Sequence, residues 1–286
     1  LERLSVRQRP VLDDEKGDRM KIVRFAKNRA MKYGVLNEDE IVAVSGSPFP
    51  HPGRPGDSPR LTNETHNPKN VVFLAPCLPS KIVAVGLNYR KHAEERNVPI
   101  PDHPLIFLKP STSVIGTEGK IIYPGASKRV DYEGELAVVI GRKAKAVDRT
   151  RAKEYIWGYT CLNDVSARQE MADDAGQVTR SKSYDTFAPI GPWIETDISP
   201  DDLRIETYLN GKAVQSARTN DLIFPVDVLV SFISGVMTLL PGDVISTGTP
   251  SGTGTPEGAG AMKAGDIVEV RIEGIGTLRN YVVEQK

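Results

Sequence analysis

The stretch Asp131-Tyr132-Glu133-Gly134-Glu135-Leu136-Ala137-Val138-Val139-Ile140-Gly141 limits the fold of this chain more than any other. Five apolar residues in a row, closed by a glycine, read as a strand buried in a core. Two carboxylates nevertheless enter it. Strand side chains alternate faces, so Glu133 and Glu135 project from one face, with Gly134 leaving room between them. Like charges on one face repel unless solvent, opposite charges across the sheet or a cation offsets them. A hard divalent ion bound by carboxylate oxygens suits the pair best. From the pair alone, a solvated surface is an equal reading.

Composition narrows the partners. The 286 residues carry 37 Lys+Arg against 37 Asp+Glu, a net charge of zero, so no basic face is offered to nucleic acid or to an anionic membrane. A small, neutral or metal-chelated ligand is the default. The length suits one large domain, or one large and one small. Cys77 and Cys161 follow or sit inside apolar runs without CxxC spacing, which predicts buried thiols in a reduced compartment. With no apolar run of 18 or more residues and no signal-peptide core, the expectation is a soluble cytoplasmic protein. Residues Leu1 to Arg19 are charged and patternless and read as an extension, with Met20 as the natural start.

Short strands are expected from Met20 to Val44, and Ser47 to Ser58 is a Pro/Gly-rich linker. Residues 20–75 thus form a small N-terminal β domain, ahead of a larger domain over 76–286. His51 and His66 lie in polar surroundings and read as surface histidines. Lys81 to Gly86 is a compact strand, and Leu87 to Arg96 is helix-forming up to Pro99. There His92 and Glu95, three apart, share a helix face, the arrangement of a base oriented by a carboxylate or of an exposed charge pair. Asn97 to Pro104 is constrained but irregular and could close over a site. Leu105 to Ser113 is a strand running into a polar loop.

A helix from about Arg149 to Tyr155 precedes the strand Ile156 to Leu162, which delivers Asn163 and Asp164 at its end. That aspartate could ligate a metal or cap the next turn. Arg168 follows four residues later, and Lys182 places a cation before another apolar strand. Asn210-Gly211 marks a hairpin. Val226 to Leu240 has the spacing of a core helix. Val244 to Gly254 is a strand breaking into a Gly/Thr-rich loop without the P-loop lysine, whose free amides and hydroxyls could hold a carboxylate. Two strands, Ile267 to Ile272 and Leu278 to Val283, close the chain. Many strands, few helices and no repeat predict a mostly β fold with some α.

Taken together, Val85-Gly86-Leu87-Asn88-Tyr89 with His92 and Glu95, Leu108-Lys109-Pro110-Ser111, Asp131-Tyr132-Glu133-Gly134-Glu135, Asn163-Asp164-Val165-Ser166-Ala167-Arg168, Lys182 and Thr247-Gly248-Thr249-Pro250 resemble the fumarylacetoacetate hydrolase superfamily, in its branch of acylpyruvate hydrolases, oxaloacetate decarboxylases and 2-hydroxyhepta-2,4-diene-1,7-dioate isomerases. The resemblance runs from about Lys81 to the end. It implies a mixed β-roll catalytic domain behind a small N-terminal β domain, usually as a homodimer. It also implies Mg²⁺ or Mn²⁺ on Glu133, Glu135 and Asp164, a His92–Glu95 dyad on a mobile lid, and Lys182 facing the substrate. Arg168, Thr249, Asn88 and Tyr89 are the implied substrate contacts. One departure stands out. Relatives place an acidic residue, an apolar one and glutamine after the arginine, where this chain has Gln169-Glu170-Met171, so the contact to the far end of the substrate is altered. The activity implied is metal-dependent C–C bond hydrolysis of a 2,4-diketo acid through an enolate, with oxaloacetate decarboxylation or dienol isomerisation on the same site as alternatives. A catalytically silent binding protein is the alternative of another class.

Overall fold

A computed structural model describes residues 19–49, 59–253 and 261–285. The strand Gly134–Ile140 lies inside a large sheet, antiparallel to Ile156–Asn163 on one side and to Val244–Ser246 on the other. All seven of its residues are buried. Leu136, Val138 and Ile140 face a core shared with Leu229, Val230 and Ile233 of the helix Val226–Val236, and with Ile205, Val270, Ile272 and Leu278 of a second, five-stranded sheet. Ala137 and Val139 face the opposite way, onto Ile22, Cys77, Ile82, Ala188, Ile190 and Val244. Each large apolar side chain so covered contributes about 1.5–3 kcal/mol relative to exposure. The strand is therefore clamped on both faces, and Glu135 shares the parity of Ala137 and Val139.

Gly134 is needed for a reason other than the expected one. A β-carbon there would lie 2.1 Å from Thr207 Oγ1 of the second sheet. Because strand faces alternate, the space it frees is on the face away from the two glutamates, where the two sheets approach.

The main sheet runs in the order Leu61–His66, Ile41–Val44, Ala30–Leu36, Lys21–Lys27, Ala188–Glu195, Ile156–Asn163, Gly134–Ile140, Val244–Ser246, Ile82–Gly86 and Leu105–Lys109. The N-terminal strands thus continue the sheet of the larger domain, joined where Lys21 and Ile22 pair with Glu195 and Ile194. Arg19 is tied to the same seam: its guanidinium donates to Gly274 O at 2.7 Å and lies 3.2 Å from a carboxylate oxygen of Glu195. Cys77 and Cys161 are buried free thiols, and burial pushes both up to about 12.

Three local expectations change. His66 is not a surface residue. Its ring is buried edge-on against Phe25 with centroids 5.0 Å apart, and Nε2 lies 3.0 Å from Glu64. A polar strand has still one inward face, and His66 occupies it. His51 lies outside the described residues. The segment Arg149–Tyr155 is a 3₁₀ helix, with Asp148 accepting from the Thr150 amide at 2.8 Å. The core helix stops at Val236, four residues early, because Leu239 pairs with Ala144 as a two-residue bridge with both hydrogen bonds at 2.9 Å. That tertiary pairing overrides the helical spacing of Met237 and Leu240. The hairpin forms as expected, with Asn210 and Gly211 at φ of 51° and 78°.

Candidate active site

The site is assembled from the backbone outward. Gly134 pairs with Asn163 across the sheet. This puts the residues just outside that pair side by side: the Glu133 amide donates to Asn163 Oδ1 at 2.9 Å, and the Asp164 amide donates to Glu133 O at 2.8 Å. Ser166 Oγ donates to Asp164 O at 2.8 Å. With Glu135 two residues along, one oxygen from each of Glu133, Glu135 and Asp164 comes within 4.8 Å of the others. All three side chains are buried.

Cations surround this cluster unevenly. Lys182, at the end of the short helix Thr179–Lys182, donates to Glu133 at 2.7 Å and to Asp164 at 2.6 Å, and its ammonium stands 5.1 Å from the Phe107 ring centre. Arg168 donates to Glu133 and, at 2.9 Å, to Asp131. Lys109, fully buried at the end of Leu105–Lys109, donates to Asp164 at 2.5 Å and to Val165 O at 3.1 Å. Burial opposes the charge on Glu133, but Lys182 and Arg168 overcome it and hold its carboxyl down to about 2. Burial likewise opposes the charge on Lys182, and Asp164 and Glu133 reverse that effect and raise it. For Lys109 burial wins and its pKa falls.

Glu135 differs. Among the described residues no cationic side chain pairs with it; its carboxylate accepts from Ser246 Oγ at 2.5 Å and from the Gly248 amide at 2.8 Å. Burial, followed by repulsion from Asp164 and Glu133, raises it well above the usual carboxylate range. A buried carboxyl that meets two others and no cation of its own is what a bound ion would relieve. The donors are all carboxylate oxygens, which fit a hard divalent cation rather than a soft metal. The Gly/Thr-rich loop does hold carboxylates, and they are the chain's own: the Gly248 amide donates to Glu135 and the Gly252 amide to Glu95.

The dyad forms on the helix Arg90–Glu95, where His92 Nδ1 lies 2.8 Å from Glu95 Oε2. The other Glu95 oxygen accepts from the Gly252 amide at 3.0 Å. A carboxylate only accepts, so Nδ1 carries the proton and Nε2 is the basic nitrogen. A cavity of about 300 Å³ joins these groups. It is lined by the three carboxylates, His92, Lys182, Arg168 and Thr249, by the apolar Leu87, Val98, Phe107, Met171 and Val178, and by Arg96.

Seven of the residues singled out in the sequence therefore meet in one cavity, with Glu95 bound to His92. Asn88 and Tyr89 do not line it, and the expectation of substrate contact is corrected for both. Asn88 Nδ2 donates to Thr247 O at 2.7 Å and to Phe224 O at 3.0 Å, and its Oδ1 accepts from the Phe224 amide at 2.8 Å. Tyr89 is buried in the core and pairs with Leu222. Both anchor the start of the dyad helix. Thr249 is also engaged, donating to Gly134 O at 3.0 Å and accepting from Gln215 Nε2 at 2.8 Å. Two site residues were missed, Lys109 and Asp131. The signal for Lys109 was a lysine closing an apolar strand. Asp131 stood in the motif of Glu133 and Glu135 without a role, because that role depends on Arg129 and Arg168 converging on it at 3.0 and 2.9 Å.

The family model for fumarylacetoacetate (FAA) hydrolase, C-terminal, matches residues 81–283. The chain belongs to the fumarylacetoacetate hydrolase family. A second model, Rv2993c-like, N-terminal, matches residues 20–76 of this family member. The solved 5-carboxymethyl-2-hydroxymuconate delta-isomerase from Mycobacterium smegmatis is 42% identical, with a TM-score of 0.84 over 93% of this chain and 100% of that one. The oxaloacetate tautomerase Fahd2a, mitochondrial, of Rattus norvegicus is 42% identical over 74% of this chain and 70% of its own length. A maleylpyruvate hydrolase from Sphingobium sp. SYK-6, solved with manganese(II) and pyruvate, is 29% identical, with a TM-score of 0.75 over 93% of this chain and all of that one. The β-rich fold and the family membership expected from the motifs are thus both found.

Proposed function

We propose that this family member is a divalent-cation-dependent enzyme that moves a proton on the carbon beside the ketone of a small 2-oxo acid, as a tautomerase or isomerase of enolisable acids. The observation that carries this reading is the His92–Glu95 pair, 2.8 Å apart, in the same cavity as the carboxylate triad. Glu133, Glu135 and Asp164 would hold Mg²⁺ or Mn²⁺, whose chemistry there is Lewis-acid stabilisation of the charge developing on the ketone oxygen. His92 Nε2 takes the proton from carbon and returns it to the alternative position. Glu95, fixed by the Gly252 amide, orients the imidazole. Lys182 adds positive charge beside the reacting end and keeps Glu133 and Asp164 turned inward. The apolar wall keeps water from protonating the enolate at random.

The motifs alone put hydrolysis of an acylpyruvate first. The isomerase and tautomerase names of two relatives at 42% identity favour proton transfer, and hydrolysis becomes the second reading, supported by the manganese- and pyruvate-bound hydrolase. In that case His92 activates water instead of carbon acid. Decarboxylation of oxaloacetate shares the enolate but needs no base. The deciding assay follows enol-to-keto conversion of oxaloacetate beside acetylpyruvate cleavage, with Mg²⁺, Mn²⁺ or chelator, in wild type and His92→Ala. The expected result is cation-dependent tautomerisation slowed by about 10²- to 10⁴-fold in His92→Ala. Cleavage of acetylpyruvate without tautomerisation would instead establish the hydrolase. Full turnover in chelator would remove both.

A further inference from the structure

Resting on the reading of His92 as the base, we infer that Gln215 is a positioning residue for the dyad, acting through the Gly/Thr-rich loop although it does not line the cavity. The contacts run outward from the base. His92 is oriented by one oxygen of Glu95, and the other oxygen accepts from the Gly252 amide. The direction of the imidazole therefore depends on where the loop carries Gly252. That placement is tight. Gly252 stands at φ of 93°, and a β-carbon on it would lie 2.2 Å from Val214 O, so the loop rests directly on the backbone of the strand Lys212–Arg218. Tyr132 Oη donates to Gly252 O at 3.1 Å.

Gln215, the residue after Val214, ties this loop to the strand of the glutamates. Its side chain is buried; Nε2 donates to Thr249 Oγ1 at 2.8 Å and to Pro250 O at 2.9 Å, and Oε1 accepts from the Gly134 amide at 3.0 Å. Thr249 Oγ1 in turn donates to Gly134 O at 3.0 Å. One side-chain amide thus joins the hairpin, the residue between Glu133 and Glu135, and the loop that holds Glu95. A carboxamide suits all three partners because it offers two N–H donors and an acceptor. A carboxylate would turn an oxygen onto the Pro250 carbonyl, and a thioether would offer no donor. The two ends of the link depend on it unequally. Gly134 is also paired with Asn163 across the sheet, whereas residues 249–252 belong to no strand, so for them the Gln215 bonds stand in place of a ladder. Loss of those bonds therefore falls on the dyad before it falls on the carboxylate triad.

The test separates those two effects with two variants. Gln215→Glu keeps the acceptor for Gly134 and removes both donors to the loop, and Gln215→Met removes all three bonds at similar size. Each is measured for Mn²⁺ affinity by calorimetry and for kcat and KM in oxaloacetate tautomerisation. The Nδ1–H resonance of His92 is followed by NMR of the Mg²⁺-loaded protein, assigned against His92→Gln. The expected result in both variants is Mn²⁺ affinity within about 3-fold of wild type, a His92 Nδ1–H resonance lost to solvent exchange, and kcat lowered by about 10- to 100-fold with KM little changed. Added to His92→Ala, Gln215→Met should lower kcat no further, because the base that it positions is already gone. A His92 resonance unchanged in both variants, a loss of Mn²⁺ affinity as large as the loss of kcat, or a further loss in the double variant would each overturn the role of Gln215. Failure of the reading beneath it looks different: His92→Ala would then turn over like the wild type, while the resonance in the Gln215 variants still decides whether the amide holds the dyad.

Discussion

The two ends of the strand Val244–Ser246 each meet a buried carboxylate, and the two are held in opposite ways. At the start, Asp243 accepts from the Ser80 amide at 3.0 Å, Ser80 Oγ at 2.6 Å, the Lys81 amide at 3.3 Å and the Leu240 amide at 2.8 Å, and the Lys81 ammonium pairs with it. At the end, Glu135 has a hydroxyl and an amide, and it is clustered with two more carboxylates. Hydrogen bonds reach both oxygens of Asp243, whereas the two to Glu135 both fall on Oε2. Asp243 has a cation paired to it and is a structural tie; Glu135 has no cation paired to it among the described residues, the condition that favours a ligand site.

The largest way to break this contrast is to delete each carboxylate. Glu135→Ala should abolish stoichiometric Mn²⁺ binding in calorimetry and lower kcat/KM by about 10³-fold. Asp243→Ala should keep wild-type Mn²⁺ affinity and instead lose about 3–5 kcal/mol of stability in denaturant unfolding, because three amides lose their buried acceptor. Equal weakening of Mn²⁺ binding by both changes would end the distinction.

A pH series on chelated protein sharpens it. The folded state raises Glu135 above its unfolded value of about 4.3, so the folded chain holds the extra proton and stability falls as pH rises above that value toward the raised one. Glu133, held at about 2, acts in the other direction: its contribution is full above about pH 4.3 and is lost as pH falls toward 2. Saturating Mn²⁺ should flatten the loss at higher pH, and Glu135→Gln should flatten it without metal. Persistence of that slope in Glu135→Gln would assign it elsewhere. The smallest effect is expected from Ser246→Ala, which removes one hydrogen bond to Glu135 and should weaken Mn²⁺ by about 10-fold.

Much of the site was legible because it depends on local repeats. Strand alternation sets Glu133 and Glu135 on one face, the helix repeat sets His92 against Glu95, and a strand end delivers Asp164. Residues whose role depends on distant partners were not legible. Asn88 looked like a substrate contact because its neighbours belong to the site, yet its amide closes a tie to Phe224, 136 positions away. Lys109 was visible as part of a motif, but its bond to Asp164 spans 55 positions. The early end of Val226–Val236 has the same origin, a pairing with Ala144 on a distant segment.

By itself, the amino-acid sequence determined that this chain builds a β-rich fold around a doubly buried strand, carries two carboxylates on one face of it, and places a histidine one helical turn from a glutamate. Those facts follow from backbone geometry, which repeats every two or 3.6 residues whatever surrounds it. Only the tertiary structure decided which cation answers which carboxylate, leaving Glu135 without a paired cation among the described residues, Asp243 paired with Lys81 and Arg96 at the cavity. Charge pairing acts across space, and the packing of two sheets sets which residues stand close enough to pair.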